Sequence, residues 1–105
     1  GVEEMMIMGT PAADVWIVTH DGRDMVRADA IVLIRLDHTG RLTAQLRDEA
    51  RVTVALLEGS ASGRPPADFH RQLIRMVSEL ADSSGAQLVR AQRDQHGWQW
   101  VSETL

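Results

Sequence analysis

The 105-residue chain has no cysteine, lysine, asparagine or tyrosine, and its only aromatic residues are three tryptophans and one phenylalanine. Without cysteine, it can hold no disulfide, thiolate metal site or thiol nucleophile, and it is not a disulfide-stapled secreted scaffold. Without lysine, it cannot carry the glycine-rich phosphate loop of nucleoside triphosphatases. These absences exclude several enzyme classes, and no catalytic motif rises above background in what remains.

The charge is mildly acidic and evenly spread. Eleven arginines stand against fifteen acidic residues, which gives a formal net charge of −4 at pH 7. Proteins that bind duplex nucleic acid nonspecifically draw most of their affinity from clustered cations that neutralise phosphates. Neither half of this chain is a basic arm, so nucleic acid is the minority interpretation.

Hydrophobic residues make up 44% of the chain, which is typical of a globular domain. No hydrophobic run approaches the roughly 18 residues of a membrane span, and no secretory signal pattern opens the chain. We therefore expect one cytoplasmic domain, residues 1–105, that binds no membrane. Within it, residues 1–13 are expected to be a flexible N-terminal segment and residues 58–66 a linker-like loop before a helix.

The first half of the chain predicts an antiparallel meander. Short runs of alternating apolar residues are separated by turn residues at His20–Asp24 and Asp37–Gly40, with a third turn at Arg47–Ala50. Four strands are predicted, at Asp14–Thr19, Met25–Leu36, Arg41–Leu46 and Arg51–Leu57. The second exceeds the usual 5 to 6 residues, so it either bends near Asp29 and Ala30 or crosses the whole sheet.

The second half predicts a helix and a hairpin. Pro65 and Pro66 suit the first turn of a helix, and Gly85 suits its exit. Apolar residues recur at helical spacing and form a stripe that should cover the sheet, with Leu73 and Val77 at its centre. The members of the stripe are Phe69, Leu73, Met76, Val77 and Leu80. A hairpin follows, with strands at Ala86–Arg93 and Gly97–Thr104.

These elements predict an α+β fold: an antiparallel sheet of about five or six strands, in the order β-β-β-β-α-β-β, with one helix packed on one face. The alternative is a partly closed small β-barrel, because the long second strand and the short turns would allow the sheet to curl.

The histidines and serines predict no reactive site. His20, His38 and His96 lie in predicted turns, and consecutive turns of a meander project from opposite ends of the sheet, so they do not converge on a metal ion. His70 lies beside the apolar stripe of the helix. The serine-rich stretch Gly59–Gly63 lacks the strand–turn–helix setting of an activated serine. We predict no catalytic residue, no cofactor and no metal site.

Two apolar features point to an interface instead. The predicted strand Met25–Leu36 is apolar on both faces while only one helix is available. We expect the helix to cover the face that carries Val32, which leaves the face with Ile31 and Leu33 to be covered by something else. Trp98 and Trp100 share a face of the last strand and offer a broad apolar surface, which either closes the edge of the core, the commoner role of such a pair, or forms an interface. The interface candidates are Trp16, Ile31, Leu33, Trp98 and Trp100.

The sequence therefore favours a noncatalytic protein-interaction or regulatory module that self-associates through a sheet face, as a homodimer, or that binds another protein. Two alternatives stay open. One is a small enzyme or ligand-binding domain with a pocket between helix and sheet, using His70, His20 and Arg75. The other is a single-stranded nucleic-acid binder that stacks bases on Trp98 and Trp100.

Overall fold

The computed structural model describes residues 14–47, 49–59, 63–83 and 85–105. The predicted flexible segment 1–13, the linker residues 60–62 and Asp48 of the third predicted turn lie outside them. The described residues form seven strands and one α-helix. In chain order these are β1 Asp14–Val18, β2 Met25–Arg27, β3 Ile31–Leu36, β4 Leu42–Leu46, β5 Glu49–Leu57, α1 Phe69–Leu80, β6 Ala86–Asp94 and β7 Gly97–Thr104.

The α+β fold is confirmed, with the described strands in two open sheets and not in the single sheet that the sequence predicts or in a closed barrel. One sheet has four strands in the order β2-β1-β6-β7, and the other has three in the order β3-β4-β5. All neighbouring strands are antiparallel except β1 and β6, which are parallel. Parallel neighbours need a long crossover connection. Between β1 and β6 the chain forms the second sheet and the helix, and these supply that connection.

The long predicted strand Met25–Leu36 bends at the expected place. Ala28–Ala30 form one turn of 3-10 helix, so β2 pairs with β1 while β3 pairs with β4 in the other sheet. The turn is fixed by the backbone N–H of Ile31, which donates to the carbonyl of Ala28. The predicted order gains a strand because one run of alternating residues serves two sheets.

The core lies between the two sheets and the helix. Phe69 and Leu73 of α1 are fully buried, and the remaining stripe residues pack against the core, which confirms the predicted helical face. The fully buried side chains that they meet come from both sheets: Ile17, Leu42, Ala44, Leu56, Leu57 and Val89.

The ring of Trp100 anchors the helix to β7. It stacks on Phe69 with 4.5 Å between ring centroids and 14° between planes. Its indole N–H donates to the Phe69 carbonyl at 2.9 Å. That carbonyl belongs to the first residue of the helix, so the contact fixes where α1 starts on the four-stranded sheet.

Replacing Leu73 by Ala tests the helix–sheet core. Leu73 is fully buried while its neighbour Ile74 is exposed, so Leu73→Ala should lower the free energy of unfolding by about 2 to 4 kcal/mol through lost burial and a residual cavity. Arg75→Ala, at an exposed position of the same helix, is the control and should change it by less than ~0.5 kcal/mol. Urea unfolding of both variants gives the comparison, and equal losses would show that the helix faces the sheet differently.

Candidate interaction surface

The structure places the five predicted interface residues in different environments. Trp100 is only 7% exposed and belongs to the core. Trp98 and Ile31 are half-buried and pack against that core. Trp16 is half-buried on the far side of the four-stranded sheet, with the Arg27 guanidinium 5.5 Å from the centre of its ring. Leu33 is the one member that exposes a large part of its side chain, at 40%.

A bulge at the start of β3 explains why Leu33 differs from Ile31. Ile31 pairs with Leu46 and Leu33 pairs with Gln45, so Val32 is an extra residue in the strand. A bulge of this kind changes which side of the strand faces the core. Ile31 then packs inward while Val32 and Leu33 are exposed, contrary to the expectation that Ile31 and Leu33 share an uncovered face and that Val32 is covered.

Val32, Leu33 and Ile74 surround one apolar groove between β3 and α1, which we call the α1–β3 groove. Val32 and Ile74 are each 55% exposed. The groove has a volume of about 320 Å³. It is lined by Ile17, Ala28, Ile31, Val32, Leu33, Ile34, His70, Leu73, Ile74, Val77 and Ser78, none of which is a charged acid or arginine.

β3 forms one wall of the groove over residues 31–34. Successive side chains of a regular strand point to opposite faces of the sheet, but the bulge at Val32 interrupts this alternation, and all four consecutive residues line the groove. β3 is also the outer strand of its sheet, and its outer edge has no strand beside it among the described residues. The helix α1 forms the opposite wall.

His70 supplies an unpartnered polar atom in this apolar setting. Its Nδ1 is buried and has no hydrogen-bond partner in the described part of the chain. Buried polar side-chain atoms are nearly always hydrogen-bonded in folded proteins. The side chain lines the groove, so a molecule that enters it comes close to the imidazole.

The β3–β4 turn holds β3 in place at the far end of the groove. The Asp37 carboxylate accepts hydrogen bonds from the Thr39 hydroxyl at 2.6 Å, the Thr39 N–H at 2.9 Å and the Arg41 N–H at 3.0 Å. These bonds, the one from the Thr39 hydroxyl above all, hold the pKa of Asp37 below its ordinary value of 3.8. Gly40 completes the turn with a φ of 89°, which other residues rarely adopt.

The residues proposed for an enzyme or ligand pocket do not come together. His70 lines the α1–β3 groove, whereas His20 lines two other clefts and accepts a hydrogen bond at Nδ1 from the Glu58 N–H at 3.2 Å. Arg75 is exposed on the helix. His38 and His96 are exposed in turns. Within the described ranges, no three His, Asp or Glu side chains are placed to hold a metal ion.

The predicted stacking platform for nucleic acid is not formed. Trp100 is stacked on Phe69 inside the core, and the indole N–H of the half-buried Trp98 donates to the Gly63 carbonyl. Each ring is therefore fixed by contacts within the chain, and the pair does not present two free faces to bases.

Of the serine-rich stretch Gly59–Gly63, only the two terminal glycines are described, because residues 60–62 lie outside the described residues.

Sequence reasoning missed Val32 and Ile74. Ile74 is the one large apolar residue of the helix outside the predicted apolar stripe, and its position could have indicated a second apolar surface on the helix. The exposure of Val32 had no such signal, because it depends on the bulge.

Comparisons of the chain with protein-family models, with curated proteins and with solved structures found no match. No helix in the described part is long and apolar enough to cross a membrane. The geometry of the surface therefore carries the functional argument.

Replacing Asp37 by Asn tests the turn that holds β3. A carboxyl whose pKa is lowered by folding stabilises the folded state above its unfolded value, and this contribution disappears as the pH falls through the folded value. Asp37→Asn should therefore lower the thermal midpoint at pH 7, and the difference from the wild type should shrink as the pH falls below 3.8.

Asp82→Asn is the control for this series, because Asp82 is exposed after the helix and outside the turn. It should match the wild type throughout a melting series from pH 7 to pH 2.5. A deficit of Asp37→Asn that stays constant with pH would contradict the electrostatic role of the turn.

Proposed function

We propose that this chain is a noncatalytic protein-interaction module that self-associates through the α1–β3 groove. The observation that carries the proposal is the convergence of Val32, Leu33 and Ile74, three exposed large hydrophobic side chains, on one groove. Proteins rarely expose large contiguous apolar surface to water unless a partner covers it.

The lining of the groove favours a protein partner over a reaction. Its polar side chains are His70 and Ser78, and within the described residues no carboxylate or second histidine lines the groove to form an acid–base pair. A buried charge without a partner would oppose association. No charged side chain of the described ranges lines the groove, so covering it carries no such penalty. Protein interfaces are likewise depleted of charged residues at their centres.

A second copy of the chain is the partner that fits best. A twofold interface brings the same patch of each subunit together, so an apolar, uncharged surface is complementary to itself. The net charge of −4 gives two copies a modest repulsion at long range, but salt screens it within about 10 Å at 0.1 M. The short-range apolar contact then decides whether the copies associate.

The second candidate is a small ligand held in the same groove, and the unpartnered His70 Nδ1 favours it. A volume of about 320 Å³ is at the lower end for ligand sites in proteins. Such a ligand would have an apolar body and one hydroxyl or amine group for the imidazole.

A small aliphatic alcohol such as hexanol tests this second candidate. It should raise the melting temperature of the wild type, and His70→Phe should abolish that rise.

Leu33→Glu tests self-association. The charge would be buried in both halves of a symmetric contact without a partner, so the dimer dissociation constant should rise at least about tenfold. Because Leu33 is 40% exposed, the fold should survive, which circular dichroism checks. Sedimentation equilibrium from about 1 to 500 μM measures the association of wild type and variant.

Val52→Glu is the matched control. Val52 lies on β5 of the same sheet with 42% exposure, and it does not line the groove. It should dimerise like the wild type. A wild type that stays monomeric at 500 μM, or an equal loss in both variants, would refute self-association through this groove.

A further inference from the structure

We infer that the second copy adds its β3 antiparallel to β3 along the open edge, so that two three-stranded sheets become one continuous six-stranded sheet. This inference rests on the proposed self-association and states how it is built. It uses a different observation, because self-association rests on apolar side chains and strand addition rests on the backbone.

Of the four strand edges in the described structure, β3 is the one best suited to pairing. β2 has three residues. The edge strand β5 already accepts a hydrogen bond from the His20 N–H at the Ala55 carbonyl, 2.8 Å away. β7 ends in the polar residues 102–104. β3 has six residues, five of them apolar, and carries no proline to block pairing.

The hairpin register shows which backbone groups of β3 face its open edge. The Asp37 N–H donates to the Arg41 carbonyl at 3.0 Å, so this pair bonds across the β3–β4 hairpin. In an antiparallel ladder, bonded and non-bonded pairs alternate. Arg35 therefore directs its N–H and carbonyl toward β4, whereas Ile34 and Leu36 direct theirs toward the open edge.

Charge then selects the register of the two β3 strands. Outward groups at residues 34 and 36 can pair across a twofold axis in three ways, with Ile34, Arg35 or Leu36 on the axis. The third would set Ile34 opposite His38, in the turn beyond the end of β3, and so leaves only one bonded pair within the strand. The second would place two arginines opposite each other, which is destabilising. With Ile34 on the axis, Arg35 lies opposite Leu33 of the second copy, and its aliphatic stem can cover that exposed side chain.

The absence of cysteine from the chain makes this register directly testable. Two cysteines form a disulfide when their Cα atoms are about 4.4 to 6.8 Å apart. Ile34 residues facing each other in a bonded pair would be about 5.5 Å apart. Arg35 residues would be about 8 Å apart, from a strand spacing near 4.8 Å and two residues of offset.

Single-cysteine variants Ile34→Cys and Arg35→Cys are treated with diamide at a concentration where the wild type is dimeric. We expect a covalent dimer from Ile34→Cys and at least about tenfold less from Arg35→Cys. Arg35→Cys is the control. Because Arg35 is exposed and Ile34 is half-buried, crosslinking by random collision would be faster for Arg35→Cys than for Ile34→Cys. Crosslinking mainly through residue 35 would overturn the register.

A second measurement uses the wild type alone, so its result does not depend on the stability of a variant. It compares amide hydrogen exchange by NMR at concentrations above and below the dimer dissociation constant. The Ile34 and Leu36 amides should exchange at least about tenfold more slowly in the dimer, while the Arg35 amide, bonded within the chain, should not change. A dimer without this protection would refute strand addition and leave self-association standing. A wild type without any dimer would refute both.

Discussion

The chain leaves one sheet and enters the other within the three residues Ala28–Ala30, and the rest of the structure depends on that change. The turn is braced on both sides. Arg27 contacts the Asp29 carboxylate at 3.1 Å, and these bonds lower the pKa of Asp29. The Ala30 carbonyl accepts the Arg47 N–H at 2.6 Å, which ties the turn to the end of β4. β3 therefore starts as the outer strand of a separate sheet.

One helix packs against two sheets, and its position is set on only one of them. Phe69 at the start of α1 is held by Trp100 of the four-stranded sheet, so the position of the helix is set there. Leu73, one turn later, fills the space between the sheets. Ile74 then points away from that core and lines the groove. The contact that stabilises the helix thus also forms one wall of the groove.

Local patterns predicted the elements, and distant contacts decided their arrangement. Alternation and helical spacing act over a few residues, so the strands and the buried stripe containing Leu73 could be predicted. The parallel pairing of β1 with β6 joins residues more than 60 positions apart. The burial of Trp100 likewise depends on Phe69, which lies 31 positions earlier in the chain. The candidate site was predicted only in part, at Ile31 and Leu33, because the bulge at Val32 leaves no periodic pattern in the sequence.

An open apolar edge is costly for a protein to keep, because it invites pairing with any other strand. The bulge at Val32 and the positive charge of Arg35 restrict which strands can pair with β3 and in which register. The bulge interrupts the regular ladder at one end of β3, and the arginine disfavours any register that sets it against another cation. Together they act against indiscriminate strand addition. In the proposed dimer, the backbone would supply the bonds between the two β3 strands, and the charge of Arg35 would disfavour the register that sets the two arginines opposite each other.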